Sequence, residues 1–324
     1  MPDRKLIIKL TKNQNKMTMN NKNINNSMDI KKILVPLDGS AKSEKILPYA
    51  WLFSEWFSSE LNLFHSLPPK HPLANLKNNY SFVPDNNNDR GLLLAGLYMK
   101  EVQEHLGKHN INSKWGIASG QIASMIVSRA VTSSIGLIAM IANPTNKIKR
   151  IFFPKSIDYL WKTTSCPILI VKNNSFNSNS TNSITPSEII TSKEIITNPV
   201  LSKLITSISL ATNVPLLIFL DKEEIELGEE ISELLDDYKI KYNILYSQKN
   251  ITESIKKAAI NSPRAWIVIN SKLRYGINRA INGSNADAIF RSTDNPIIIV
   301  PDKHIVNQRS NLVHKNTQNL EINN

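Results

Sequence analysis

Cysteine is nearly absent from this chain: one, Cys166, stands among 324 residues. A single thiol excludes an internal disulfide framework and fits a reducing compartment. No apolar run approaches the roughly 18–20 residues a bilayer-spanning helix needs. The N-terminus carries lysines and asparagines but no apolar core of a secretory signal, so we expect a cytoplasmic protein with no membrane contact. Glycine is scarce, at 10 residues. No Ser-His-Asp, Cys-His or paired-carboxylate set stands out, which argues against an enzyme. His105 and His109 are four apart on a helical stretch, a metal-ligand spacing, but no carboxylate or cysteine accompanies them, so no metal site is expected.

What is present is length for about two domains and an excess of positive charge. The net charge is +12, from 39 Lys and Arg against 27 Asp and Glu. It is uneven. Residues 1–27 hold six basic side chains against one acid, residues 28–172 hold 17 against 10, and residues 173–324 are balanced at 16 each. No nucleic-acid motif or basic stripe with interleaved aromatics appears, so the charge reads as solvated surface and no specific nucleic acid is expected.

The first 28 residues, rich in Asn and Lys, read as a disordered tail, and MDIKKILVPLDGS from Met28 has the look of a natural start. From there strand-like and helix-like runs alternate. KKILVPLD, ELNLFHSL, NSKWGIAS, IGLIAMIA and CPILIVK are apolar strands, with amphipathic helices between them. Such alternation implies a mostly parallel sheet covered on both faces. Residues 173–186 are a polar linker by composition, residues 187–302 a second domain, and residues 303–324 a C-terminal tail.

The second domain repeats the first. A shift of 129 residues places Ile126 on Ile255, Ala130 on Ala259, Ile138 on Ile267, Arg150 on Arg279, and Pro167-Ile168 on Pro296-Ile297, with no gap over about 45 residues. A repeat of that length means two copies of one domain. The first half of the second copy is eroded: VLSKLITSISLA looks like its first helix, and no acid is visible to match Asp38.

These features together resemble the universal stress protein family in tandem form. The resemblance rests on ILVPLDGSAKSEKILPYA, on Gly120 ahead of a helix, on the strand IGLIAMIA with its loop, and on the closing CPILIVK. It covers residues 29–172 and 250–301 well and 187–249 weakly. It implies two Rossmann-like domains of the adenine nucleotide alpha hydrolase type, each a five-stranded parallel sheet with helices on both faces. It also implies that the last strands, in CPILIVK and NPIIIVP, pair antiparallel to give an intramolecular pseudo-dimer. A homodimer and an unidentified protein partner are further expectations.

ATP-binding members carry a glycine loop and a Gly-Ser pair that let backbone N–H groups reach the phosphates, with an acid at the end of the first strand. Here Asp38, followed by Gly39 and Ser40, matches the acid. In the first copy, however, Ile141, Pro144 and Pro154-Lys155 fall on the glycine and Gly-Ser positions, and proline has no N–H to donate. In the second copy Asn270 and Leu273 replace the two loop glycines, while Gly283-Ser284 survives. Lys147, Lys149, Arg150 and Lys155 crowd the first loop and are candidate anion contacts; solvated loop charge is the plainer reading. The expectation is a non-catalytic stress-response or regulatory protein with a degenerate nucleotide site, needing no cofactor and holding ATP or AMP weakly at best. The alternative is an adenine-nucleotide-binding switch with weak or no ATPase activity. His65 reads as a packing residue, and Cys166 as an inert buried thiol.

Overall fold

The structure, a computed structural model, describes residues 28–68, 86–142, 159–160, 163–172, 184–248, 250–271 and 285–301. The chain divides into two compact units, one built on residues 29–163 and one on residues 164–324.

The first unit contains β1 (Lys32–Pro36), α1 (Leu47–Phe57), β2 (Glu60–Leu67), α2 (Asn86–Gly107), β3 (Ser113–Ser119), α3 (Ile122–Thr132) and β4 (Leu137–Ala142). Its strands lie in the order β3-β2-β1-β4, all parallel. The central strands are apolar on both faces because helices cover both sides: Ile33, Leu34, Val35, Leu137, Ile138 and Ala139 have no exposed surface. Pro48 opens α1, where its missing N–H costs nothing, and Ser58 closes it in the left-handed conformation, at φ 52°. Gly136 lies where Ile30 crosses. A Cβ there would sit 3.1 Å from the Ile30 Cα.

The second unit begins with β5 (Ile168–Lys172), followed by β6 (Ile189–Ser192), α4 (Glu194–Thr197), α5 (Pro199–Thr212), β7 (Leu216–Asp221), α6 (Ile225–Asp237), β8 (Tyr242–Ser247), α7 (Ile251–Asn261), β9 (Trp266–Ser271), α8 (Asn285–Ser292) and β10 (Ile297–Pro301). Strands β10-β9-β6-β7-β8 are parallel, and β5 joins β10 in antiparallel register, with Ile170 opposite Ile297 and Ile168 opposite Ile299. The pairing expected of the two closing strands is therefore present. The final strand of the family-like segment 29–172 groups with the second unit, leaving four strands in the first among the described residues. Lys172 secures β5: its ammonium donates to the Thr293 carbonyl at the end of α8 and sits 4.7 Å over the Phe290 ring. Burial pushes the Lys172 pKa down against the pull of Asp294.

Local solutions recur between the units. Ser54 Oγ donates to the Ser59 carbonyl at 2.7 Å, and Ser209 Oγ donates to the Val214 carbonyl at 2.7 Å. Each closes the turn after a helix whose cap, Ser58 or Asn213, is left-handed. In the acidic helix α6, Gly228, Ile231 and Leu235 are buried at helical spacing, and its acids occupy the remaining positions. No helix among the described residues is long and apolar enough to cross a membrane.

Candidate functional site at the strand ends

In a doubly wound sheet, ligands settle beyond the carboxyl ends of the strands, where the strand order reverses. In the first unit that point lies between β1 and β4, because the chain runs β1, β2, β3 to one side and then crosses to β4. Asp38 stands two residues past β1. The turn it heads folds on itself. Asp38 Oδ1 accepts from the Ser40 N–H at 2.9 Å and from Ser40 Oγ at 2.6 Å. The Asp38 N–H donates to Ser43 Oγ at 3.2 Å, and Ser43 Oγ donates to the Ser40 carbonyl at 2.8 Å. Gly39, at φ +83°, supplies a left-handed step that a side chain would strain.

Partial burial pushes the Asp38 pKa up, but the hydrogen bonds from Ser40 and Ser43 outweigh it and hold the carboxyl below its usual value. The group is an exposed, ionised carboxylate. Beside it, His65 Nδ1 donates to the Leu37 carbonyl at 2.8 Å, which fixes the proton on that nitrogen. The Tyr98 ring meets His65 edge-on at 6.3 Å. The Tyr98 hydroxyl is buried without a hydrogen bond of normal geometry. Burial, and then the charge of nearby Glu44, push its pKa well up.

The structure thus brings Asp38, Gly39 and Ser40 into one turn. Lys147, Lys149, Arg150, Lys155, Gly283 and Ser284 lie outside the described residues, as do Pro144, Pro154 and Leu273. Ile141 and Asn270 are described, at the ends of β4 and β9. His105 and His109 meet as rings 5.3 Å apart, with Trp51 4.9 Å from His109. No group of three metal-ligating side chains occurs among the described residues.

The second unit holds residues that the sequence pattern did not reveal. Strand β6 pairs Ile189 with Trp266 on one side and with Leu216 on the other, as β1 pairs Ile33 with Leu137 and with Leu61. Counting five residues onward from Ile33 reaches Asp38. The same count from Ile189 reaches Glu194. Glu194 opens the helix α4, however, whereas Asp38 heads a turn outside any helix. Strand β6 is only four residues long, too short to show a period.

Glu194 is buried, and the Ser192 hydroxyl donates to it. The neighbouring Lys193 Nζ donates to Glu224 and, at 3.2 Å, to Asp221 Oδ2. The second Glu224 oxygen takes the Asp221 N–H at 3.0 Å. The bond to Glu224 raises the Lys193 pKa. Burial pushes the Glu224 pKa up, but Lys193 and the Asp221 N–H together hold it below its usual value.

Asn198 completes the group. Its side-chain oxygen caps α5 by accepting from the Val200 and Leu201 N–H groups at 3.1 and 3.3 Å. Its Nδ2 donates to the Pro301 carbonyl at 3.0 Å and to Asn270 Oδ1 at 3.3 Å, at the ends of β10 and β9. The one local signal for it is Asn-Pro ahead of an apolar helical run, a capping pattern.

The sequence profile of the universal stress protein family matches residues 29–172. Among solved structures, a universal stress protein from Archaeoglobus fulgidus DSM 4304 superposes with a TM-score of 0.64 at 16% identity, over 84% of this chain and 98% of that one. A protein of unknown function from Pseudomonas aeruginosa PAO1 superposes with a TM-score of 0.62 at 15% identity, over 89% of this chain and 98% of that one. At such identities the likeness speaks for the fold. No curated protein sequence matches the chain.

Proposed function

We propose that this chain, whose residues 29–172 match the universal stress protein family, is a tandem, non-catalytic stress-response protein whose nucleotide site has degenerated. The family assignment itself supports a role in the stress response. The remainder of the proposal is carried by the Asp38 turn, where the carboxylate is spent on Ser40 within its own loop. The sequence of the loop after β4 adds to it, with Ile141, Pro144 and Pro154 standing where ATP-binding relatives have glycines.

A hydrogen bond to a charged group contributes about 1.5–3 kcal/mol. Losing two such donors weakens binding by roughly 10²- to 10⁴-fold, which takes a micromolar site to millimolar or beyond. The protein would then act through protein contacts. A cytoplasmic location belongs to the same proposal and is supported by the lone, buried Cys166.

Isothermal calorimetry with ATP and magnesium tests the reading. The expected result is no saturation at micromolar nucleotide. Saturable binding at tens of micromolar, abolished by Asp38→Ala, would overturn it. The second reading, an adenine-nucleotide switch with weak or no ATPase activity, is favoured by one observation: Asp38 is ionised and exposed at the strand end. Co-purification of nucleotide from cells would support that reading over the first.

A further inference from the structure

Strand β8 is the last strand of the second unit, and its outer side meets no strand among the described residues. We propose that this edge takes one more strand, an extended lysine- or arginine-rich segment of a partner protein laid alongside β8. The inference gives the protein contacts of the proposed function a place. It stands on β8 alone, so nucleotide binding at Asp38 would leave it untouched.

An edge strand is normally defended by a charge, a proline, a bulge or a covering element. Strand β8, YNILYS, carries no charge and no proline. Its register with β7 runs without a bulge from Leu216–Tyr242 to Asp221–Ser247. Strand β3, the edge of the first unit, carries Lys114 instead. The Leu216 N–H donates to the Lys241 carbonyl at 2.8 Å, which sets the phase of the ladder. The backbone groups of Asn243 and Leu245 therefore turn towards β7, and those of Tyr242, Ile244 and Tyr246 turn outwards. An added strand pairs with such a row of donors and acceptors.

Side chains mark the same edge. Tyr246 is 43% exposed, Leu245 on the opposite face 40%, and Ile225 at the start of α6 60%. Tyr246 is also seated: a Cβ on Gly228 would collide with its hydroxyl. Glycine weakens a helix interior, and here the space it leaves goes to a tyrosine that stays half exposed, as an interface anchor does. The charge of the partner follows from α6, which holds six acids and no lysine or arginine. Ile225, Glu229, Ser232 and Asp236 follow one another at three- and four-residue steps, so they share the flank beside Gly228. Glu229 and Asp236 are exposed there. A second copy, pairing β8 with β8, would bring its own α6 to the same face, acid against acid. A basic segment meets no such repulsion.

Fluorescence anisotropy on the full chain tests this, with a labelled decapeptide of alternating lysine and valine as the probe. The expected result is saturable micromolar binding. Tyr246→Ala should weaken it about tenfold through loss of the anchor. Ile244→Pro should weaken it as much, because it removes an outward N–H and leaves the bonds to β7 in place. The same peptide N-methylated at every residue keeps its charge and side chains, and should bind at least as poorly. In hydrogen exchange, residues 242–247 should exchange faster than residues 216–221 without peptide and slow several-fold with it. No binding would overturn the proposal. So would binding unchanged by Tyr246→Ala or by N-methylation, which would reduce it to attraction between charges. Equal protection of 242–247 and 216–221 in the peptide-free monomer would mean that the chain covers its own edge, and would overturn it too. A dimer that Tyr246→Ala dissociates would do the same, with a second copy as the occupant. Should Ile244→Pro fail to fold, Tyr246→Ala and the N-methylated peptide still decide.

Discussion

Replacing Asn198 separates two roles that one side chain plays. Asn198 is 2% exposed. Its oxygen caps α5, and its amide nitrogen holds the Pro301 carbonyl 103 residues further along the chain. Loss of an N-cap costs about 1 kcal/mol, and a buried carbonyl left without its donor costs about 1–3 kcal/mol. Asn198→Ala removes both and should destabilise the second unit by about 2–4 kcal/mol. Asn198→Ser keeps a good capping oxygen but is too short to carry the amide, so it should lose only the clasp, about 1–3 kcal/mol. A whole-chain melt would mix the two units. Hydrogen exchange as a function of urea avoids this: peptides from 189–221 and 297–301 read the second unit, and peptides from 32–67 serve as the internal reference. The reasoning fails if Asn198→Ser lies within about 0.5 kcal/mol of wild type, the range of an uninvolved surface change. It fails equally if the reference peptides shift as much as the others.

Gly136→Ala drives a Cβ to 3.1 Å from the Ile30 backbone. It should cost the first unit about 1–3 kcal/mol by urea titration. Gly91→Ala, with open space around it within α2, should stabilise by about 0.5–1 kcal/mol. The Lys193–Glu224 pair sets a pH window. The depressed Glu224 pKa makes its contribution present above the ordinary value of 4.5 and lost as pH falls through the folded value. The raised Lys193 pKa makes its contribution present below 10.5 and lost at higher pH. The stability gap between wild type and Lys193→Met, about 1 kcal/mol or less for a partly exposed pair, should be flat between those values and close outside them. Cys166, 7% exposed, should react with a thiol reagent only when the second unit unfolds, so modification at the rate of a free surface thiol would contradict its burial.

The first unit was legible because its signals are local. An apolar run in β1, a Pro-opened helix in α1, and the Leu-Asp-Gly-Ser turn each follow from residues a few positions apart. Strand β6 was not legible: Ile189–Ser192 is too short to alternate and sits between a polar linker and the four-residue helix α4. Its neighbours define it, through pairings that reach Leu216 and Trp266. The roles of Lys193 and Asn198 follow from that placement. Each partner, whether Asp221, Glu224, Asn270 or Pro301, is distant in sequence and brought near by the order of the strands.

The antiparallel union of β5 with β10 has a meaning beyond the sheet. Expressed alone, a fragment ending at Lys172 would carry Ile168–Lys172 with no β10 to receive it. Its pairing would then depend on meeting another molecule, and so on how much of the protein the cell makes. Covalent linkage turns that encounter into an intramolecular one, at an effective concentration on the order of millimolar. Assembly becomes a property of the gene and not of its expression level. A second copy retained for its β10 strand is then free to diverge elsewhere.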